Sequence, residues 1–285
     1  MQRSLDPVFA RILVGVDGSP NGDEAVRQAS RLCAVTGAEL LAVSVVEPGS
    51  RVRHPGVVLM NPRRRALAAL DEAVRLAGKW DVTPETRLVA GSAADALVAE
   101  ARAAWADLIC VGPDAGRALK PRLFGRVAAL VLGAAHGSVL IARVPPGDDE
   151  ASFPARIQCA VDGSRGATEA ARVAASLAKL TGAELVFHHV VQTGPALPGR
   201  AQHHGDPLPT VLAVADAEGV RASAARSIGA PGASIAAAAA GGRSDLIVLG
   251  SRGLHGLKRK ALGSTGDWLA RHAEHSVLVA RPRRG

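Results

Sequence analysis

The chain has 285 residues, which at roughly 150 residues per domain predicts two globular domains. Hydrophobic residues make up 48% and charged residues 21%, enough for ordinary buried cores, and this excludes wholesale disorder. Aromatic residues are 2%, with no Tyr, so stacking platforms for bases or sugars are excluded as the main recognition device, while the net charge of +8 suits an anionic ligand or partner. Cys33, Cys110 and Cys159 are too few and too scattered for a disulfide framework or a zinc site, and a reducing, cytoplasmic compartment fits them best. Residues 1–9 lack the apolar core of a signal peptide. The longest apolar stretch, 127–135, is about half the roughly 20 residues of a membrane span, so no membrane partner is expected.

In chain order, the first half predicts strands near 12–16, 39–46, 86–89, 108–111 and 138–142. Arg63-Arg64-Arg65 begins a helix away from any motif. Residues 145–154, PPGDDEASFP, have linker composition. Strand 157–161 follows, then an Ala/Leu helix over 168–180 ended by Gly182, and a strand over 184–191. Residues 192–209 read as loop, 210–219 as helix, and 221–228 as a weak strand. The chain finishes with helix 233–240, strand 246–249, helix 265–273 and strand 276–280. The two halves repeat each other. Residues 12–49 align without a gap on 157–194, with close to half the positions identical, and 91–143 align on 229–281. We therefore divide the chain into domains 1–147 and 153–285. Continuous apolar strands separated by helices predict an α/β fold, each copy a five-stranded parallel sheet covered by helices on both faces. In such sheets ligands settle at the carboxyl ends of the strands.

The chemistry concentrates after the fourth strand of the second copy, where residues 250–265 read GSRGLHGLKRKALGST. Gly250 and Gly253 would let the backbone turn and bring N–H groups close to an anion. Gly263, Ser264 and Thr265 then open a helix, whose exposed N–H groups and positive dipole end favour phosphate oxygens. The same residues also read as an ordinary loop with a helix cap. The loop is not a Walker A sequence, and the first strand ends in Asp162-Gly163-Ser164 rather than the dinucleotide Gly-x-Gly. Lys258-Arg259-Lys260 could neutralise phosphate or form a plain solvated run. His188-His189 and His203-His204 lack partners at metal-ligand spacing.

The pattern Gly250-x2-Gly253-x9-Gly263-Ser264, with a first strand ending Val161-Asp162-Gly163-Ser164, resembles the universal stress protein family in its ATP-binding class. The resemblance spans nearly the whole chain twice, as in a tandem member. It implies two Rossmann-like (adenine nucleotide alpha hydrolase-like) domains and a regulatory, stress-response role with ATP as the ligand, with or without Mg²⁺. By that resemblance Asp162 stands beside ribose and phosphates, Val190 offers backbone to adenine, and Ala160 lines the base pocket. Gly250, Arg252, Gly253, Gly263, Ser264 and Thr265 would surround the phosphates. From the residues alone, Asp162 also reads as a cap of the following helix, and Val190 as core.

Copy one keeps Asp17, Val45, Gly112 and Gly125, but Ala115 replaces the middle glycine, Arg126 replaces Ser264, and Asp114 adds a negative charge. Arg126 could itself pair with a phosphate. Weaker or altered nucleotide binding is therefore expected in copy one. The last strands are expected to pair the domains as an intrachain pseudo-dimer, with further self-association into a homo-oligomer and a regulatory protein as partner. The rival readings are a slow ATPase or phosphotransferase in the same pocket, for which only Asp162 and His255 offer themselves as a base, and a nucleic-acid binder, which the missing aromatics disfavour.

Overall fold

Strand and helix alternate through both halves because apolar runs bounded by caps and glycines punctuate the sequence at regular intervals. A computed structural model describes residues 7–47, 61–113, 124–144, 153–192, 205–251 and 263–282. The chain divides into two units, Met1–Arg143 and Val144–Gly285.

Unit 1 runs β1 (Arg11–Gly15), α1 (Pro20–Thr36), β2 (Glu39–Val46), α2 (Pro62–Ala77), β3 (Glu85–Ala90), α3 (Ala93–Ala103), β4 (Leu108–Val111), α4 (Arg126–Ala134) and β5 (Ser138–Ile141). Its strands pair in parallel in the order β3-β2-β1-β4-β5. Unit 2 repeats the plan with β6 (Arg156–Val161), α5 (Arg165–Thr181), β7 (Glu184–Val191), α6 (Leu208–Ala217), β8 (Ala222–Ile228), α7 (Pro231–Gly241), β9 (Leu246–Gly250), α8 (Ser264–His272) and β10 (Ser276–Ala280). Its order is β8-β7-β6-β9-β10, again all parallel. The predicted α/β class is the observed fold, with five parallel strands side by side in each unit.

The first helix of each unit shows how local chemistry sets the bounds. Ser19 Oγ accepts from the Gly22 amide at 3.0 Å, Pro20 supplies a preset φ at the helix start, and Gly37 ends α1 at φ 72°. Ser164 Oγ accepts from the Ala167 amide at 3.1 Å, and Gly182 ends α5 at φ 74°. The cap at Ser164 starts α5 at Arg165, three residues before the predicted 168. Helix α6 likewise begins at Leu208 rather than 210, because Pro209 fits the first turn, where its missing N–H has no acceptor to lose. The inner strands are the core. Leu13, Leu41 and Leu140 are at most 1% exposed, and truncating a leucine so placed costs about 2–5 kcal/mol. Ala170, Ala171, Ala174 and Ala175 are fully buried, so α5 lies close against its sheet without large side chains. The three cysteines are buried and free, and burial pushes the Cys33 thiol up to about 12. No helix among the described residues is long and apolar enough to cross a membrane.

Candidate functional site

Parallel strands aim their carboxyl ends at one side of each unit, and that side carries the predicted residues. In unit 1, β1 ends at Gly15 and the chain passes through Val16 to Asp17, whose Oδ1 accepts from the Ser19 amide at 2.9 Å. This turn fixes the carboxylate at the strand tip. Gly22 sits opposite, where a Cβ would come within 2.5 Å of Asp17 Oδ1. All five copy-one candidates, Asp17, Val45, Gly112, Gly125 and Arg126, line one cavity of about 330 Å³. Val16, Val43, Leu97 and Val111 supply apolar wall, while Asp17 and Arg126 supply charge. The volume lies at the small end of the range for small-molecule sites.

Unit 2 sets the matching residues at the matching places. Ala160 lies on β6 and Asp162 just beyond it, with Oδ1 accepting from the Ser164 amide at 3.0 Å. Val190 lies near the end of β7, Gly250 ends β9, and Gly263 precedes α8, whose first residues are Ser264 and Thr265. Ser164 rather than Asp162 is the cap of α5, and Asp162 closes a turn onto the Ser164 amide that holds it at the tip of β6. Arg252, Gly253, His255 and the Lys258-Arg259-Lys260 run lie outside the described residues, as do Asp114, Ala115 and His203-His204.

Two glycine roles differ from the sequence reading. Gly250 was expected to serve a tight turn, yet it lies outside the positive-φ region and its reason is space. A Cβ there would stand 2.5 Å from the carbonyl carbon and 2.6 Å from the oxygen of Gly166, in the first turn of α5. A Cβ added at Gly112 would likewise stand 2.9 Å from the backbone of Asn21. Gly263 was expected to help surround phosphate, but its amide donates to the Ser251 carbonyl at 3.1 Å, as that of Gly125 does to Pro113 at 2.6 Å. These bonds pinch the ends of each loop together. Among the described residues no side chain caps the N-terminus of α4 or α8, so the donors open to a ligand in unit 2 begin at the amide of Ser264.

The arginine run is also nearer the site than predicted. Arg65 Nη2 donates to the Asp17 carbonyl at 3.1 Å, which brings α2 to the tip of β1 and corrects the expectation that this run lies away from any motif. In unit 2 the structure adds Gln158 and Ser227, which the sequence reading missed, and joins them to His188. Gln158 Nε2 donates to the Ile235 carbonyl at 2.8 Å and lies 3.2 Å from His188 Nδ1, while His188 Nε2 lies 2.9 Å from Ser227 Oγ. His188 is 1% exposed and Gln158 is 3% exposed. Burial, together with neighbouring His189, holds His188 below the usual histidine range and thus neutral. The available signal was a Gln and a His inside otherwise apolar strands, at positions where copy one has Leu13 and Val43.

Comparison with known proteins gives one consistent result. The model of the universal stress protein family matches residues 9–143 and again 155–281. A universal stress protein of Mycolicibacterium smegmatis is 27% identical over 292 residues, covering 95% of this chain and 97% of that protein. One from Methanocaldococcus jannaschii is 28% identical over 148 residues, covering 50% of this chain and 87% of the relative. The crystal structure of a universal stress protein from Archaeoglobus fulgidus superposes with a TM-score of 0.73 at 21% identity, covering 97% of this chain and 98% of its own, and shares the fold.

Proposed function

The chain belongs to the universal stress protein family, and on that footing we propose that it is a cytoplasmic regulatory protein that binds an adenine nucleotide, ATP foremost, in unit 2. The observation that carries this reading is convergence. Five residues chosen from sequence alone line one cavity in unit 1, and unit 2 holds their counterparts on the same elements. The base and ribose would occupy the apolar part, beside Ala160 and Val190. The phosphates would meet the open amides and hydroxyls of Ser264 and Thr265 at the positive end of α8, and by the family resemblance Arg252 and Gly253 would join them. Asp162 would accept from the ribose hydroxyls or help hold a Mg²⁺ that accompanies the nucleotide, an ion that needs few protein ligands of its own.

Unit 1 has the cavity but offers Arg126 where unit 2 offers Ser264, and Asp114 and Ala115 in the loop. We assign it the weaker or altered binding. The reading is tested by denaturing freshly purified protein and identifying the released small molecules by mass spectrometry. ATP, ADP or AMP is expected at up to one equivalent per chain for unit 2. Absence of any purine nucleotide, followed by failure to take up added ATP, would overturn it.

A further inference from the structure

We infer that Ser227 is a specificity-determining hydrogen-bond donor for the purine ring in unit 2, aimed there by Gln158 and His188. The inference rests on the nucleotide reading and deepens it. Its starting point is the direction of the hydrogen bonds. The Ile235 carbonyl can only accept, so the group facing it at 2.8 Å is the Gln158 amide nitrogen, whose second N–H is then turned toward His188 Nδ1 at 3.2 Å. Nδ1 must accept, which leaves the imidazole proton on Nε2, donating to Ser227 Oγ at 2.9 Å. With an oxygen lone pair taken by the imidazole, the Ser227 hydroxyl hydrogen points elsewhere. Each step fixes the polarity of the next, so a rotatable hydroxyl becomes a directed donor.

Its place in the sheet supplies the target. His188 and Val190 are two apart on β7 and share a face, and Ser227 on β8 is in register with Val190. The matching residues of unit 1, Val43 and Val45, line its cavity. Ser227 therefore stands beside the residue assigned to the base edge, where a ring nitrogen is the natural acceptor. Unit 1 has Leu13, Val43 and Val89 in place of Gln158, His188 and Ser227, with Val45 in register with Val89. The polar relay belongs to unit 2 and distinguishes the two units chemically.

The test compares ATP with 1-deaza-, 3-deaza- and 7-deaza-ATP, each lacking one ring nitrogen, by titration calorimetry on the full chain. One analogue is expected to bind unit 2 about three- to tenfold more weakly than ATP, the range of one neutral hydrogen bond. That difference should vanish in Ser227→Ala. It should vanish equally in the double variant Gln158→Leu/His188→Val, which copies the apolar set of unit 1 and keeps the serine. Either variant decides the matter if the other fails to fold. Equal binding of all four nucleotides, or a deaza penalty that survives in the variants, would overturn this inference alone. A wild-type protein that binds no ATP would overturn the nucleotide reading and this inference together.

Discussion

Ser264→Glu is expected to weaken ATP binding by about 100-fold or more while leaving unit 2 folded. The position is exposed and opens α8, whose first-turn amides have no capping side chain. A glutamate in the first turn of a helix is favoured by the helix dipole, so the substitution is benign to the fold. For a ligand it is the reverse. Two like charges about 4 Å apart near a protein surface repel by roughly 4 kcal/mol before screening, and retaining about 3 kcal/mol corresponds to two orders of magnitude in affinity. Calorimetric titration beside a thermal melt separates the two effects. An unchanged melting temperature with affinity lost is the expected pair, and full ATP affinity in the variant would place the phosphates elsewhere. Gly253→Glu carries the same expectation from sequence.

The second large effect is expected at Gly250. A valine there would drive its Cβ to within 3.0 Å of three backbone atoms of Gly166 and Ala167, which have no flexible end to yield. The tip of β9 and the first turn of α5 must then separate, at about 1–3 kcal/mol for overpacking. Because those two elements border the loop and the Asp162 turn proposed to hold the nucleotide, ATP affinity should fall by at least tenfold in the same variant. Gly133→Ala is the control: nothing lies within 4 Å of a Cβ built in α4, so stability should hold or rise by up to about 1 kcal/mol. Urea unfolding of both variants checks the contrast, and a Gly250→Val protein as stable as wild type would refute the packing assignment.

How much of this could be read in advance depends on how local the cause is. The strands follow from apolar runs and from a repeat whose two blocks each align without a gap, and both are properties of consecutive residues. The Ala/Leu pattern marks α5 only from 168, whereas the Ser164 cap starts it at Arg165. Gly250 reads from the sequence as a turn glycine. Its actual constraint comes from Gly166, a residue far away in sequence that only the parallel crossover brings close. The same holds for Arg65 and Asp17, 48 residues apart, and for Gln158, His188 and Ser227, contributed by three different strands. Side-chain chemistry that spans strands needs the register, and register is what a single sequence specifies least directly.

The account turns on whether the phosphate tail is held by the open amides at the start of α8 in unit 2. Comparing ATP with adenosine on the intact chain by calorimetry measures that directly. Charge-assisted hydrogen bonds are worth about 1.5–3 kcal/mol each, so two of them predict ATP tighter than adenosine by at least about 100-fold. Equal affinities for the two compounds would contradict it.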